Sequence, residues 1–80
     1  MSHGAYAYRI HICNSPGSLD TQKPCAERAR QIVDKLAQTS VHVTEWKPTH
    51  VRCETSLHID KLLTLLHSLD VKPEDITLEN

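Results

Sequence analysis

The sequence has no long hydrophobic run. Its longest apolar cluster, around residues 62–66, is far shorter than the ~20 apolar residues that a membrane-spanning helix needs. The first ten residues, MSHGAYAYRI, lack a basic segment followed by an apolar one, so we expect no secretory signal. We therefore predict a cytoplasmic protein with no membrane partner.

Aromatic residues and positive charge are also scarce. Only 4% of the residues are aromatic and the formal net charge is −1. This composition disfavours nucleic acid as a partner, because such binding uses basic surfaces and aromatic stacking. Charged residues make up 24% of the chain, which is typical of a folded domain. Eighty residues predict a single domain, 1–80, with a thin core.

Cysteines are few and odd in number: Cys13, Cys25 and Cys53. Without a secretory signal, an odd count predicts reduced thiols rather than a disulfide framework. We expect Cys25 and Cys53 to be buried and inert, and Cys13 to react first with a water-soluble thiol reagent. Cys25 shares an apolar helical stripe with Ala29 and Ile32, which favours a packing role over that of a nucleophile.

Hydrophobic periodicity divides the chain into six elements. Period-two alternation predicts strands over 5–13, 41–46, 51–55 and 75–79. Apolar residues at helical spacing predict a helix that starts at Thr21 or Lys23, with Pro24 in its first turn. A second helix is expected from a cap at Ser56 to about Leu69. Residues 14–23, which contain Pro16 and Gly17, are predicted to form a loop.

The element order β-α-β-β-α-β predicts an α+β fold. With right-handed crossovers, it corresponds to the ferredoxin-like sandwich: a four-stranded antiparallel sheet in order 4-1-3-2, with two helices on one face. The predicted core is made of residues whose pattern directs them between the sheet and the helices. They are Tyr8, Ile10, Ile12, Ile32, Val33, Leu36, Val43, Val51, Ile59, Leu62, Leu66 and Ile76.

The hairpin between the second and third strands requires an adjustment of register. A two-residue Pro48-Thr49 loop would set Val43 opposite Glu54 and mix valines with charges on one face. An odd loop length restores agreement, because Val43 then meets Cys53. We therefore expect a loop of three or five residues, and the alternative is a β-bulge.

The sheet face that the helices leave open is the predicted binding surface. Period two directs polar side chains of the first three strands to that face. Arginine and tryptophan are enriched among the residues that dominate protein interfaces. The candidate binding residues are Arg9, His11, His42, Trp46, His50 and Arg52.

Two other functions of this face remain open. His11 and Cys13 lie two residues apart, and His42 or His50 could complete a metal site of imidazole and thiolate ligands. However, no C-x-x-C or H-x-x-x-H pair occurs in the sequence. A nucleic-acid-binding sheet of the RNA-recognition type is the other alternative, although its aromatic consensus is missing.

No catalytic constellation is visible in the sequence. Cys13 is followed by a loop, as in cysteine phosphatases, but position 19 is leucine and the next arginine is Arg28. We therefore predict a non-enzymatic protein-binding module without a cofactor: an adaptor, regulator or inhibitor that could also form a homodimer. A fold of this class is compatible with many functions, so the prediction depends on the open face.

Overall fold

The computed structural model describes residues 5–14 and 19–79. The helices and strands follow the predicted order along the chain. Two short 3₁₀ turns, His67–Leu69 and Pro73–Asp75, come before the last strand. The elements are β1 (Tyr6–His11), α1 (Leu19–Ala37), β2 (His42–Trp46), β3 (His50–Thr55), α2 (Ile59–Leu66) and β4 (Ile76–Leu78).

The four strands form one antiparallel sheet in the order β2-β3-β1-β4. The predicted α+β architecture, with four antiparallel strands and two helices, is confirmed. β1 and β3 are the central strands, so their outward-facing side chains lie in the middle of the sheet. The candidate binding surface is therefore centred on these two strands.

Both helices and one face of the sheet share a single buried cluster. Its centre includes Ile10 and Val51 from the sheet, Ile32 from α1 and Leu62 from α2, all at 0% exposure. Most of the predicted core is confirmed. Four predicted members, Ile12, Val33, Val43 and Ile59, are only partly buried against the cluster.

The first helix is longer than its sequence pattern indicates. It begins at Leu19, not at Thr21 or Lys23, so Pro24 lies inside the helix and not in its first turn. Proline has no N–H, and one hydrogen bond is therefore missing near this end of α1. The loop was predicted over residues 14–23, but residues 19–23 belong to α1, and its Pro16-Gly17 segment lies outside the described residues.

The second helix is shorter than predicted. It begins at Ile59, and the capping position belongs to His58, whose carbonyl accepts hydrogen bonds from the amides of Lys61 and Leu62 at 3.0 and 3.1 Å. The predicted cap at Ser56 is therefore wrong. The chain is instead turned before the helix by the Thr55 hydroxyl, which accepts a hydrogen bond from the Leu57 amide at 3.1 Å.

The β2–β3 hairpin has a two-residue loop, so the predicted odd loop is wrong. Lys47 and His50 exchange backbone hydrogen bonds of 2.8 and 3.2 Å, which leaves only Pro48 and Thr49 between them. The bulge alternative is confirmed, because the register shifts between Val43 and Glu45. This shift keeps Val43 opposite Cys53 on the apolar face.

Candidate functional site

Four cationic or ionisable side chains lie at the centre of the open face. The register sets Arg9 of β1 directly opposite Arg52 of β3, and His11 directly opposite His50. Arg9, His11 and Arg52 are exposed, whereas only 14% of the His50 side chain is accessible. We call these four residues the central quartet. The sequence prediction that they share one surface is supported by the strand register.

The two histidines of the quartet form a closely spaced pair. The backbone N–H and carbonyl of His50 both bond to Lys47, just beyond the end of β2, so His50 faces His11 in a non-hydrogen-bonded pair. In such pairs the Cα atoms are only about 4.5 Å apart and the side chains are close. A ligand on this part of the sheet would therefore meet both imidazoles.

Half of the quartet is held by acidic partners. Glu45 Oε1 lies 3.1 Å from His50 Nε2 and 3.8 Å from an Arg52 nitrogen, and its other oxygen lies 3.7 Å from Lys47 Nζ. On the other side, Arg52 Nε lies 3.4 Å from a Glu79 oxygen. Exposed ion pairs of this kind contribute little to stability, but together they fix the positions of His50 and Arg52.

The Glu45 carboxylate is kept ionised by this arrangement. The hydrogen bond from His50 lowers the pKa of Glu45 below its ordinary value, and the nearby charges of Lys47 and Arg52 act in the same direction. Desolvation opposes these effects without cancelling them. Glu45 is therefore a negative charge, at neutral pH, directed at His50 and Arg52.

The other half of the quartet has no such partners. None of the ion pairs among residues 5–14 and 19–79 involves Arg9 or His11. Arg9 nevertheless lies directly opposite a second arginine, and like charges in opposed positions destabilise a sheet. The first strand thus presents to solvent a guanidinium and an imidazole that form no ion pair within 4 Å among the described residues.

The bulge places Glu45 and Trp46 on the faces of the sheet opposite to those predicted from regular alternation. Glu45 lies opposite Arg52 on the open face, whereas Trp46 lies opposite the buried Val51. Opposed side chains share a face, so Trp46 is on the helix side of the sheet, where it is 45% exposed. Its predicted place on the open face is wrong. Regular alternation would place Glu45 on the same apolar face as Val43. A charged residue at that position was therefore the signal in the sequence for the bulge.

His42 lies apart from the quartet. It is exposed and pairs with Glu54, as the sequence predicted, near the end of the hairpin that is distant from its loop. His50 adjoins the loop at the opposite end. These two histidines therefore do not act on one ligand, and His42 contributes at most to the margin of a binding surface.

Two of the three cysteines are joined, contrary to the predicted reduced thiols. Cys13, just beyond β1, forms a disulfide with Cys25 of α1, with Cα atoms 6.1 Å apart. Cys25 is only half-buried, and Cys53 is the free, buried thiol. Because disulfides persist mainly in oxidising compartments, the reduced-thiol argument for a cytoplasmic location no longer holds.

The metal hypothesis loses its sulfur ligand. With Cys13 bonded to Cys25, no thiolate is available beside His11. Within the described part of the chain, no group of three or more histidine, cysteine or acidic side chains has an arrangement suited to a metal ion. The His11–His50 pair therefore needs another explanation.

Two concavities meet at Arg9 and His11. One, of about 250 Å³, extends towards β4 and also includes three carboxylates, from Glu74, Asp75 and Glu79. The other, of about 400 Å³, extends towards the hairpin loop and is lined by neutral or basic side chains. The lining residues of this larger concavity are Arg9, His11, Cys13, Asn14, Thr49 and His50.

The aromatic side chains do not form a base-stacking platform on the open face. Tyr6 and Tyr8 lie opposite Thr55 and Cys53, which are buried on the helix side, as predicted for the two tyrosines. Trp46 is on that same side. Within the described ranges, the open face therefore lacks the aromatic side chains on which RNA-binding sheets stack bases.

Cys53 leads to a prediction for alkaline solution. Burial raises the pKa of its thiol from 9.0 to about 11, and burial also raises the pKa of Tyr8, whose hydroxyl donates to the Leu57 carbonyl at 2.9 Å. As the pH rises, the Cys53 thiol ionises in the unfolded chain before it ionises in the folded protein, and this difference favours unfolding. The folded state therefore keeps its full stability below pH 9 and loses part of it between pH 9 and about 11. Urea unfolding at pH 8 and 10 should show the native protein losing about 1 kcal/mol more than Cys53→Ala. Equal losses in the two proteins would contradict the raised pKa.

Comparisons with protein families, curated proteins and solved structures find no match to this chain. None of the helices in residues 5–14 and 19–79 is long and apolar enough to cross a bilayer.

Proposed function

We propose that this chain is a small, non-enzymatic protein-binding module of the ferredoxin-like class. The strand order and the shared helix–sheet core support the class. The proposal of a non-enzymatic role is supported by the state of the thiols. Cys13 and Cys25 are bonded to each other, and the free Cys53 is buried with a raised pKa, so none is an available nucleophile.

The observation that carries the proposal is the uneven pairing within the central quartet. Arg52 and His50 have carboxylate partners within 4 Å, whereas Arg9 and His11 have none at that distance among the described residues, although the carboxylates of Glu74, Asp75 and Glu79 line the concavity towards β4. An anionic group placed beside Arg9 would relieve its repulsion by Arg52 and form charge-assisted hydrogen bonds. The partner that this surface favours is therefore a protein segment rich in aspartate or glutamate.

Geometry favours binding on the sheet rather than on the helices. The central strands are held on both sides by neighbouring strands, so their side chains lose little additional entropy when a partner docks. Arginines in such central positions often contribute ~2 kcal/mol or more to an interface. Charges on the outer faces of the helices, such as Arg30 and Lys61, are exposed and contribute much less.

A second copy of this chain is a poorer partner for the same surface. A two-fold contact between two open faces centred on the quartet would place arginines near arginines around the axis. Like-charge juxtapositions of this kind cost several kcal/mol. We therefore expect the free protein to be a monomer in light scattering, and the partner to be a different, acidic chain.

Selection from a displayed library of random peptides tests the proposal. The selected sequences should be enriched in aspartate and glutamate, and their amide chemical-shift changes should map to β1 and β3. In fluorescence anisotropy, Arg9→Gln should weaken binding of the selected peptide by roughly tenfold or more, the loss expected for a central arginine.

Arg30→Gln is the matched control, because Arg30 is an exposed arginine on α1. It should leave the affinity unchanged, as should Trp46→Ala on the helix side of the sheet. Selection of non-acidic peptides, or an equal effect of the Arg9 and Arg30 variants, would show that the protein binds through another surface.

A further inference from the structure

The larger concavity differs from its neighbour in the sign of its charge. Both are lined by Arg9 and His11, but the described lining of the larger one contains no carboxylate. Instead it brings together a guanidinium, two imidazoles, the Thr49 hydroxyl and the Asn14 amide. All of these groups can donate hydrogen bonds, and Arg9 carries a permanent positive charge.

We infer that this concavity is an oxyanion-binding subsite, which takes a carboxylate, phosphate or sulfate group. Arg9 supplies the charge, and Thr49, Asn14 and His11 supply further donors, while His50 holds the Thr49 hydroxyl through a hydrogen bond of 3.0 Å. The inference deepens the proposed function, because the partner's acidic group is the natural occupant. Binding of a free anion, however, does not depend on any protein partner.

The hydrogen bonds of the His50 ring couple anion binding to protonation of that ring. The Glu45 carboxylate lies 3.1 Å from Nε2 of His50, and a carboxylate can only accept, so Nε2 carries the hydrogen. The other ring nitrogen, Nδ1, lies 3.0 Å from the Thr49 hydroxyl oxygen. In the neutral ring Nδ1 must accept, and the Thr49 hydroxyl hydrogen is then used internally.

Protonation of His50 reverses this last bond. Nδ1 then donates to the Thr49 oxygen, and the hydroxyl hydrogen becomes free to donate to an anion in the concavity. The same proton adds a positive charge beside Arg9 and His11. Anion binding is therefore coupled to proton uptake by His50, and the affinity rises as the pH falls.

The surrounding charges determine the direction of this coupling. Glu45 carries the negative charge that contacts the imidazole of His50, and Lys47 and Arg52 contact Glu45 from its other side. On β1, Arg9 and His11 lie next to the same imidazole, and Glu79 offsets the charge of Arg52. A bound anion cancels the repulsion from β1 and thereby favours protonation.

The test is a titration with sulfate, whose charge is constant between pH 6 and pH 8. Amide chemical shifts are followed at constant ionic strength, with sodium chloride in place of sulfate as the reference. We expect saturable shifts at His11, Asn14, Thr49 and His50, and a dissociation constant roughly tenfold lower at pH 6 than at pH 8, the equivalent of one charge-assisted hydrogen bond. Acetate, titrated in parallel, compares a carboxylate with the tetrahedral anion.

Three variants distinguish the subsite from general charge attraction. Arg9→Gln should abolish saturable binding, and Arg30→Gln, the matched exposed arginine, should have no effect. Thr49→Val keeps the side-chain shape and the backbone carbonyl that accepts from Ile12 and Cys13, but removes the hydroxyl. It should weaken sulfate binding at pH 6 more than at pH 8. Non-saturable shifts, or a pH dependence that survives Thr49→Val in full, would overturn the inference.

The outcomes separate this inference from the proposed function. If sulfate does not bind while acidic peptides still map to β1 and β3, the subsite is wrong and the binding module stands. If sulfate binds as described but no acidic peptide is selected, the subsite stands and the partner class is wrong.

Discussion

Replacing Leu62 with alanine should lower the free energy of unfolding by about 2–5 kcal/mol, the range found for deletion of a fully buried leucine side chain. Leu62 is at 0% exposure in α2, within the cluster that joins both helices to the sheet. The cost combines lost hydrophobic transfer energy with the cavity that remains. Urea unfolding followed by circular dichroism measures it directly.

Leu78→Ala is the matched control for the same chemical change. Leu78 lies on the edge strand β4 and is 49% exposed, so only about half of its surface leaves water on folding. Its loss should be about 1 kcal/mol or less. Similar losses at the two positions would mean that α2 does not pack on the sheet as described.

The fold was predictable because its signals are repeated along many residues. The stripe that contains Ile32 and Leu36 fixes the buried side of α1, and the alternation of Tyr8, Arg9 and Ile10 fixes both faces of β1. Each pattern would have to fail at several positions before an element was lost. The ends of the elements depend on single hydrogen bonds, which explains why the Ser56 cap was predicted wrongly.

The open face was predictable only where the alternation is unbroken. Arg9, His11, His50 and Arg52 lie on regular central strands, and the register brings all four together. The bulge reverses the phase of β2 beyond Val43, so one inserted residue moved Glu45 to the open face and Trp46 away from it. The pairing of His50 with Glu45 could not be found without knowledge of that bulge.

The disulfide was not predicted because the odd cysteine count was used to infer the redox compartment of the protein. That inference carries no information about which cysteines lie close together in the fold. Cys13 and Cys25 are separated by 12 positions, with no spacing motif between them. Their approach depends on how the end of β1 meets the first part of α1. The start of that helix lay earlier in the chain than its apolar stripe indicated.

Loss of this disulfide should have the second large effect on stability. The bond closes a short loop of the unfolded chain, and the chain-entropy estimate for a loop of this size is about 3 kcal/mol. We therefore expect the double variant Cys13→Ser/Cys25→Ser to unfold at lower urea, with about 2–3 kcal/mol less stability than the native protein. For a small domain this is a large part of the total.

Treatment with a reducing agent is an independent test of the disulfide. The Cys53→Ala variant and the double serine variant serve as controls for each other. Dithiothreitol should destabilise the native protein and Cys53→Ala, which both retain the bond, but should not change the double serine variant. Without reductant, the unfolded native protein should release one reactive thiol, from Cys53, and after reduction three. Three thiols before reduction would show that the bond does not form in solution, and that the prediction of reduced cysteines was correct.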